Sequence, residues 1–182
     1  MNKAETAYFG TGCFWCSEAI FRRLKGVLSV TPGYAGGTTP HPSYEQVCTS
    51  MTGHAETARI EFDPDVIPYE DLLEVFWNVH DPTTLNRQGN DVGTQYRSII
   101  LYVSEEQRKA AEQSLKDQTA SHTHTDPIVT QIEPLGEFYP AETYHKDYYE
   151  HHGNQPYCRL IISPKLNHLR EKYEVKMKAE YL

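Results

Sequence analysis

Cys13 and Cys16 stand three positions apart in Thr11-Gly12-Cys13-Phe14-Trp15-Cys16, where a strand pattern gives way to a helical one. A cysteine in the first turn of a helix faces backbone N–H groups without intrahelical partners and the positive end of the dipole. Both favour the thiolate, the nucleophilic form, so Cys13 is expected to be reactive. The bland alternative is a small inert core thiol; the preceding glycine and the two bulky aromatics that follow argue against it. A second chemical group comes from strand parity. In Gly53 to Phe62, Glu56 shares its face with Ala58, Ile60 and Phe62, so a carboxyl falls in line with core residues. Burial raises a carboxyl pKa, as donating a proton near neutral pH requires. From alternation alone, a frayed strand start pointing Glu56 into water is an equal alternative.

The chain has four cysteines, at 13, 16, 48 and 158, a spacing that leaves most of a chain of this length unstapled. A Cys-x-x-Cys pair points to redox chemistry or to half of a zinc site. Zinc would need two more ligands from Cys48, His54, His80 or Cys158, and no second matching pair exists. Redox is therefore favoured, and Cys48 is taken as structural. His122 and His124 fall in a polar connection and read as solvated.

These groups must be positioned by one folded unit. At 182 residues, 38% of them apolar, the chain suits a single domain, 1–182, with a real core. A net charge of −8 with no basic stripe argues against nucleic-acid binding. No apolar run reaches the length of a membrane span, and the first residues lack a signal-peptide core. The expected location is cytoplasmic.

The pattern predicts a strand at Ala7–Phe9, a tight turn over Gly10–Gly12, a helix from Ser17 to Lys25 stopped by Gly26, and a strand at Val27–Thr31. An irregular loop is expected from Pro32 to Ser50, then the strand carrying Glu56. Pro68 opens a helix with Leu72, Leu73, Val75, Phe76 and Val79 on one face. A Gly- and Asn-rich loop, Asn86 to Gly93, leads to a strand over Gln95–Val103, and Ser104 to Gln107 reads as a capping box. A further strand is expected at Ile128–Ile132, then a tyrosine-rich region, then a helix capped by Ser163-Pro164. Strand, helix, strand, strand, helix, strand is the order of an α+β, two-layer, ferredoxin-like split βαβ sandwich, here with extra C-terminal elements.

Gly12-Cys13-Phe14-Trp15 resembles the active-site signature of peptide methionine sulfoxide reductases of the A type. Gly53-His54-Ala55-Glu56 and the segment Gly89 to Arg97 match further motifs of that family, in the family's order. The resemblance implies an α/β core and a reductase of methionine-S-sulfoxide, free or within peptides and proteins, needing no cofactor. It implies that Cys13 attacks the sulfoxide sulfur while Glu56 protonates the oxygen. Asp91, Tyr96 and Tyr44 would form the polar side of the pocket. Phe14 and Trp15 would supply an apolar wall for the substrate methyl, although plain core packing equally suits both rings.

The recycling cysteines depart from the family pattern. Many members have glycine where Cys16 stands, and many carry a resolving cysteine in a glycine-rich tail. Here the tail reads Pro156-Tyr157-Cys158-Arg159 and runs on into a helix. Helical positions three apart lie about 5–6 Å apart at Cβ, wider than the roughly 3.5–4.5 Å of a disulfide. Cys16 is therefore expected as first partner of oxidised Cys13 once the helix end loosens, with Cys158 as a second. Thioredoxin or a similar dithiol would reopen the bond. Two alternatives remain at this point: a general thiol–disulfide oxidoreductase using Cys13 and Cys16, and a non-catalytic zinc-stabilised module.

Overall fold

A computed structural model describes residues 4–182. In chain order the elements are β1 (Glu5–Thr11), α1 (Phe14–Phe21), β2 (Val27–Ala35), α2 (Tyr44–Cys48), β3 (Ala55–Phe62) and α3 (Tyr69–Val79). The two-residue strands β4 (Arg87–Gln88) and β5 (Asp91–Val92) form a small ladder of their own. There follow β6 (Ser98–Tyr102), α4 (Glu105–Ala120), β7 (Gln131–Pro134), β8 (Phe138–Pro140), α5 (Tyr148–His152) and α6 (Ser163–Tyr173). The fold is α+β: a mixed six-stranded sheet in the order β7-β6-β1-β3-β2-β8, with helices. Only the β6–β7 pair is parallel.

Period-two alternation explains how the sheet gains an apolar face. Ala7 and Phe9 of β1 align with Ala58, Ile60 and Phe62 of β3, all fully buried. Against them pack Ile20 and Phe21 of α1 and Leu72, Leu73 and Phe76 of α3, spaced for one helical stripe. Ala111 of α4 and Leu169 and Tyr173 of α6 complete this core, so more than two helices cover the face. Glu70 and Asp71 stand in the first turn of α3, where the dipole favours negative charge.

Several element boundaries differ from the sequence expectation. Helix α1 begins at Phe14 and ends at Phe21, making Cys13 its N-cap; Gly26, at φ +83°, turns the chain into β2. The expected loop to Ser50 contains α2, because Ser43 and Gln46 close a reciprocal capping box. Residues 95–97 are not strand: Thr94–Tyr96 is a 3₁₀ turn, and Arg97 donates to the carbonyls of Gly53 and Thr94, both at 2.9 Å. The strand after α4 begins at Gln131 rather than Ile128. Ser163 caps nothing. It follows a π-helical turn, Cys158–Ile162, and donates to the Cys158 carbonyl. The tyrosine-rich region supplies β8, which pairs with β2, and α5. Among the described residues no helix is long and apolar enough to cross a membrane.

The approach of Gly37 to the segment entering β3 leaves no room for a side chain. A Cβ there would lie 2.2 Å from the His54 nitrogen and 2.5 Å from the Thr52 carbonyl oxygen. Gly136 has open space around it. Overpacking costs ~1–3 kcal/mol, and a domain of this size shifts its Tm by about 2–4 °C per kcal/mol. Gly37→Ala should therefore lower the Tm by about 2–12 °C in a thermal melt, while Gly136→Ala leaves it within about 1 °C.

Candidate active site

The reacting groups meet where β1 hands over to α1. Cys13 is extended at φ −60°, ψ 125°, and its carbonyl accepts from the Cys16 and Ser17 amides at 3.1 and 3.4 Å. The next amide, Phe14 N–H, is given to the Glu56 carboxyl at 3.0 Å. Glu56 lies on the core face of β3 and is 2% exposed. Burial is the main cause that pushes its pKa up to about 8, and the Phe14 hydrogen bond opposes it.

Burial works against the thiolate expected at Cys13. Cys13 is buried, and its thiol is pushed well above its ordinary pKa, first by burial, then by its hydrogen bond with Cys16 and the charge of Glu56. Cys16 is pulled down, chiefly by its interaction with Cys13. Magnitudes explain the reversal. A helix terminus offers ~0.3–1 kcal/mol, whereas full burial shifts a group by up to about 3–5 pKa units, at ~1.4 kcal/mol each.

Cys13, Cys16 and Cys158 belong to one apolar cluster, completed by Ala19 and Ile162 and edged by Trp15, Tyr148 and Tyr157. Cys158 is fully buried there, because the π-helical turn carries it against α1. Cys48 is not the packed structural residue expected. It is exposed at the end of α2, where its thiol hydrogen-bonds with Tyr44. A cavity of about 200 Å³ opens beside the pair, lined by Cys13, Cys16, Asp91, Tyr157, Leu160 and Lys165. That is below the ~300–1,000 Å³ of drug-sized sites and suits a single side chain.

The aromatic residues form a second layer. Phe14 packs with Tyr34 and Val47, and Trp15, Tyr44 and Tyr139 press on the same cluster. Trp15 also stacks on Tyr148, with centroids 3.7 Å apart. Tyr96 is half-buried, and burial, then the charges of Glu56, Asp91 and Cys13, keep its hydroxyl protonated. Asp91 accepts from the Tyr157 hydroxyl at 2.8 Å. Tyr157 lines the same cavity as Cys13 and acts on its thiol, so Asp91 reaches the thiols through Tyr157.

Several of these contributors escaped sequence reasoning. Tyr157, Glu142 and His145 are single residues in or just after a tyrosine-rich region without periodicity, and Tyr34 fell in a stretch expected to be loop, so no pattern set them apart. Glu18, on α1, accepts the Asp147 amide at 3.0 Å, and Arg22 and Arg23 pair with Asp147 and Glu150. These contacts fasten α5 over α1. The imidazoles suggested as zinc ligands are engaged elsewhere: His54 with the Gly37 amide and the Thr39 carbonyl, His80 with the Phe76 carbonyl and Ser98. Among the described residues no group of three or more His, Cys, Asp or Glu is arranged for a metal ion.

Comparison with known proteins agrees with this geometry. The profile of the family described as peptide methionine sulfoxide reductase matches residues 5–178. The chain is 54% identical over 174 residues to the peptide methionine sulfoxide reductase MsrA of Saccharolobus solfataricus, covering 96% of this chain and 97% of that one. Among solved structures it is similar to reduced Mxr1 of Saccharomyces cerevisiae, with a TM-score of 0.79 and 33% identity over 86% of this chain and 90% of that one. It is also similar to methionine sulfoxide reductase A of Corynebacterium diphtheriae, with a TM-score of 0.73 and 35% identity over 84% and 76% of the two chains. A family profile spanning nearly all of the chain, and a relative at this identity over nearly all of both lengths, leave one conclusion: the chain belongs to the peptide methionine sulfoxide reductase family.

Proposed function

We propose that this chain reduces methionine-S-sulfoxide, free or within peptides and proteins, to methionine at Cys13. The observation that carries this reading is the meeting, at the start of α1, of the Cys13 thiol, a buried carboxyl that holds its proton at neutral pH and accepts the Phe14 amide, and the aromatic rings of Phe14 and Trp15. The sulfoxide oxygen is basic and the sulfur electrophilic, so the two groups act together. Glu56 gives its proton to the oxygen as the Cys13 sulfur attacks the sulfoxide sulfur. The S=O bond breaks, the substrate sulfur gains two electrons, and methionine leaves. The oxygen and that proton remain on Cys13 as a sulfenic acid, and the proton that the Cys13 thiol gives up on attack restores the Glu56 carboxyl. Tyr44, Tyr96 and Asp91, the last through Tyr157, supply the polar side. Phe14 and Trp15 face the methyl group.

A second thiol then condenses with the sulfenic acid, releasing water and forming a disulfide. We assign this step to Cys16 first. It shares the buried cluster and the cavity with Cys13, and its thiol is pulled down in pKa whereas burial pushes that of Cys158 up. Cys158, in the same cluster, receives the bond second. An external dithiol such as thioredoxin restores both thiols by exchange, with the two electrons consumed in each turnover coming from it. The chain works as one catalytic unit of residues 1–182 in the cytoplasm. The antiparallel order β6-β1-β3-β2, with α1 and α3 on one face, supports reading its centre as a ferredoxin-like split βαβ plan to which the remaining strands are added.

Turnover of the separate S and R sulfoxides of methionine with a dithiol tests the reading directly. The S epimer should be reduced and the R epimer left, and Cys13→Ser should abolish reduction without altering the circular dichroism spectrum. An active, folded Cys13→Ser variant contradicts the assignment. Glu56→Gln keeps the shape and the acceptor for Phe14 N–H but removes the acidic proton, so the reductase step should slow by roughly 10²–10⁴-fold. The same variant has a stability signature. Folded Glu56 holds its proton up to about pH 8, while the unfolded chain releases it near the ordinary 4.5. Wild-type stability therefore falls as pH rises between those values, and the glutamine variant escapes that loss. Its urea midpoint should gain on wild type between pH 5 and pH 8 and level off above. Finally, one turnover without reductant followed by peptide mapping should find Cys13 bonded to Cys16 first. A Cys13–Cys158 bond forming at full rate in Cys16→Ser shows that Cys16 is dispensable.

A further inference from the structure

His145 is 1% exposed and lies on the 3₁₀ turn Thr143–His145, from which it enters the aromatic layer beside the thiols. Its ring centroid is 4.9 Å from Phe14, 4.6 Å from Tyr44 and 5.7 Å from Trp15. The indole N–H of Trp15 donates to His145 Nδ1 at 3.1 Å. An accepting Nδ1 carries no hydrogen, so in the neutral ring the hydrogen sits on Nε2. Nε2 is buried and without a hydrogen-bond partner among the described residues, and Glu142 Oε2 faces it at 3.6 Å. That carboxylate already accepts the Tyr34 hydroxyl at 2.7 Å and the Tyr44 amide at 2.8 Å. One acidic side chain thus sets the imidazole tautomer and holds Tyr44, while the imidazole holds Trp15.

We propose that His145, oriented by Glu142, is the positioning residue that fixes the Trp15 ring as the methyl-binding wall of the sulfoxide pocket. Stacking on Tyr148 holds the indole from its opposite surroundings but leaves it free to rotate in its own plane. The hydrogen bond to Nδ1 removes that freedom. Protonating His145 would place an N–H of the imidazolium against the indole N–H, two donors facing each other, and release the ring. The charged groups acting on the imidazole are Glu142 and Glu45, with the phenols of Tyr44 and Tyr144 beside it. Burial outweighs both carboxylates and holds its pKa below the ordinary 6.5, so the acceptor form prevails at neutral pH.

The inference rests on Trp15 being the substrate wall, and the experiment separates the two. Steady-state kinetics on methionine-S-sulfoxide would compare wild type with His145→Phe, His145→Asn and Trp15→Leu. His145→Phe keeps the ring but removes the acceptor. It should raise KM by about five- to twentyfold with kcat within about threefold, the mark of lost uniform binding. The Oδ1 of asparagine takes the place of Nδ1, so His145→Asn should stay within about threefold of wild type. In a Trp77→Phe background, where Trp15 is the sole indole, fluorescence should show an acid quenching step below pH 6.5. Both His145 variants should lack that step. If Trp15→Leu leaves KM unchanged, the wall reading fails. If Trp15→Leu raises KM while His145→Phe does not, or if the phenylalanine and asparagine variants are equally impaired, the positioning role of His145 is overturned.

Discussion

A single hydrogen bond, from the Phe14 amide to the buried carboxyl of Glu56, ties the two halves of the chemistry together. It joins the start of α1 to the entry of β3, so the residue just before Phe14, Cys13, is delivered to the neighbourhood of an acid. Taking a carboxyl out of water is costly unless it is paired or protonated. Among the described residues Glu56 has one backbone donor and no cation, so it resolves the cost by holding its proton, its pKa pushed up to about 8. A geometry of this kind needs rigid walls. Arg97 provides one by binding the carbonyls of Gly53 and Thr94, which locks the approach to β3 against the 3₁₀ turn that carries Tyr96.

Around that bond the C-terminal half of the chain is fastened to the same helix. Glu18 accepts the Asp147 amide, and Arg22 and Arg23 pair with Asp147 and Glu150. Partly exposed pairs such as these contribute little stability, ~0–1 kcal/mol each. Their consequence is positional. They hold Tyr148 flat on Trp15 and bring the following π-helical turn, with Tyr157 and Cys158, onto the thiol pair. A π-helical turn leaves its neighbours a choice of backbone register, a feature that accompanies functional sites. Here it carries Cys158, the thiol that receives the disulfide second in the proposed recycling.

The electrostatics of the pair follow from the competition between burial and local polarity. The helix start alone would stabilise a thiolate at Cys13, but its nearest free amide is already given to Glu56 and the thiol is 8% exposed. Desolvation therefore dominates, and the resting site pairs a neutral thiol with a neutral acid. Such a site waits for a substrate that brings its own polarity. In the proposed reaction the S=O group supplies an acceptor for the Glu56 proton and an electrophile for the Cys13 sulfur at the same moment.

The sequence by itself determined what is written locally. The spacing of Cys13 and Cys16, the strand-to-turn-to-helix handover around them and the alternation that puts Glu56 with Ala58, Ile60 and Phe62 are short-range patterns, and a period of two or 3.6 residues encodes which face is buried. The apolar stripe of α3 was legible for the same reason. Element ends were less so: α2 was hidden in a Pro- and Gly-rich stretch despite its Ser43–Gln46 box, and Ser163 resembled a cap while lying inside a continuing helix. Only the tertiary structure decided the protonation of Cys13, because desolvation sums over neighbours from α1, β3 and the C-terminal turn. Only it brought Cys158 to Cys16, exposed Cys48, and gave Tyr157, Glu142 and His145 their partners. Contacts between residues far apart in sequence leave no period in the chain, and what a buried group's surroundings do to its charge depends on all of them at once.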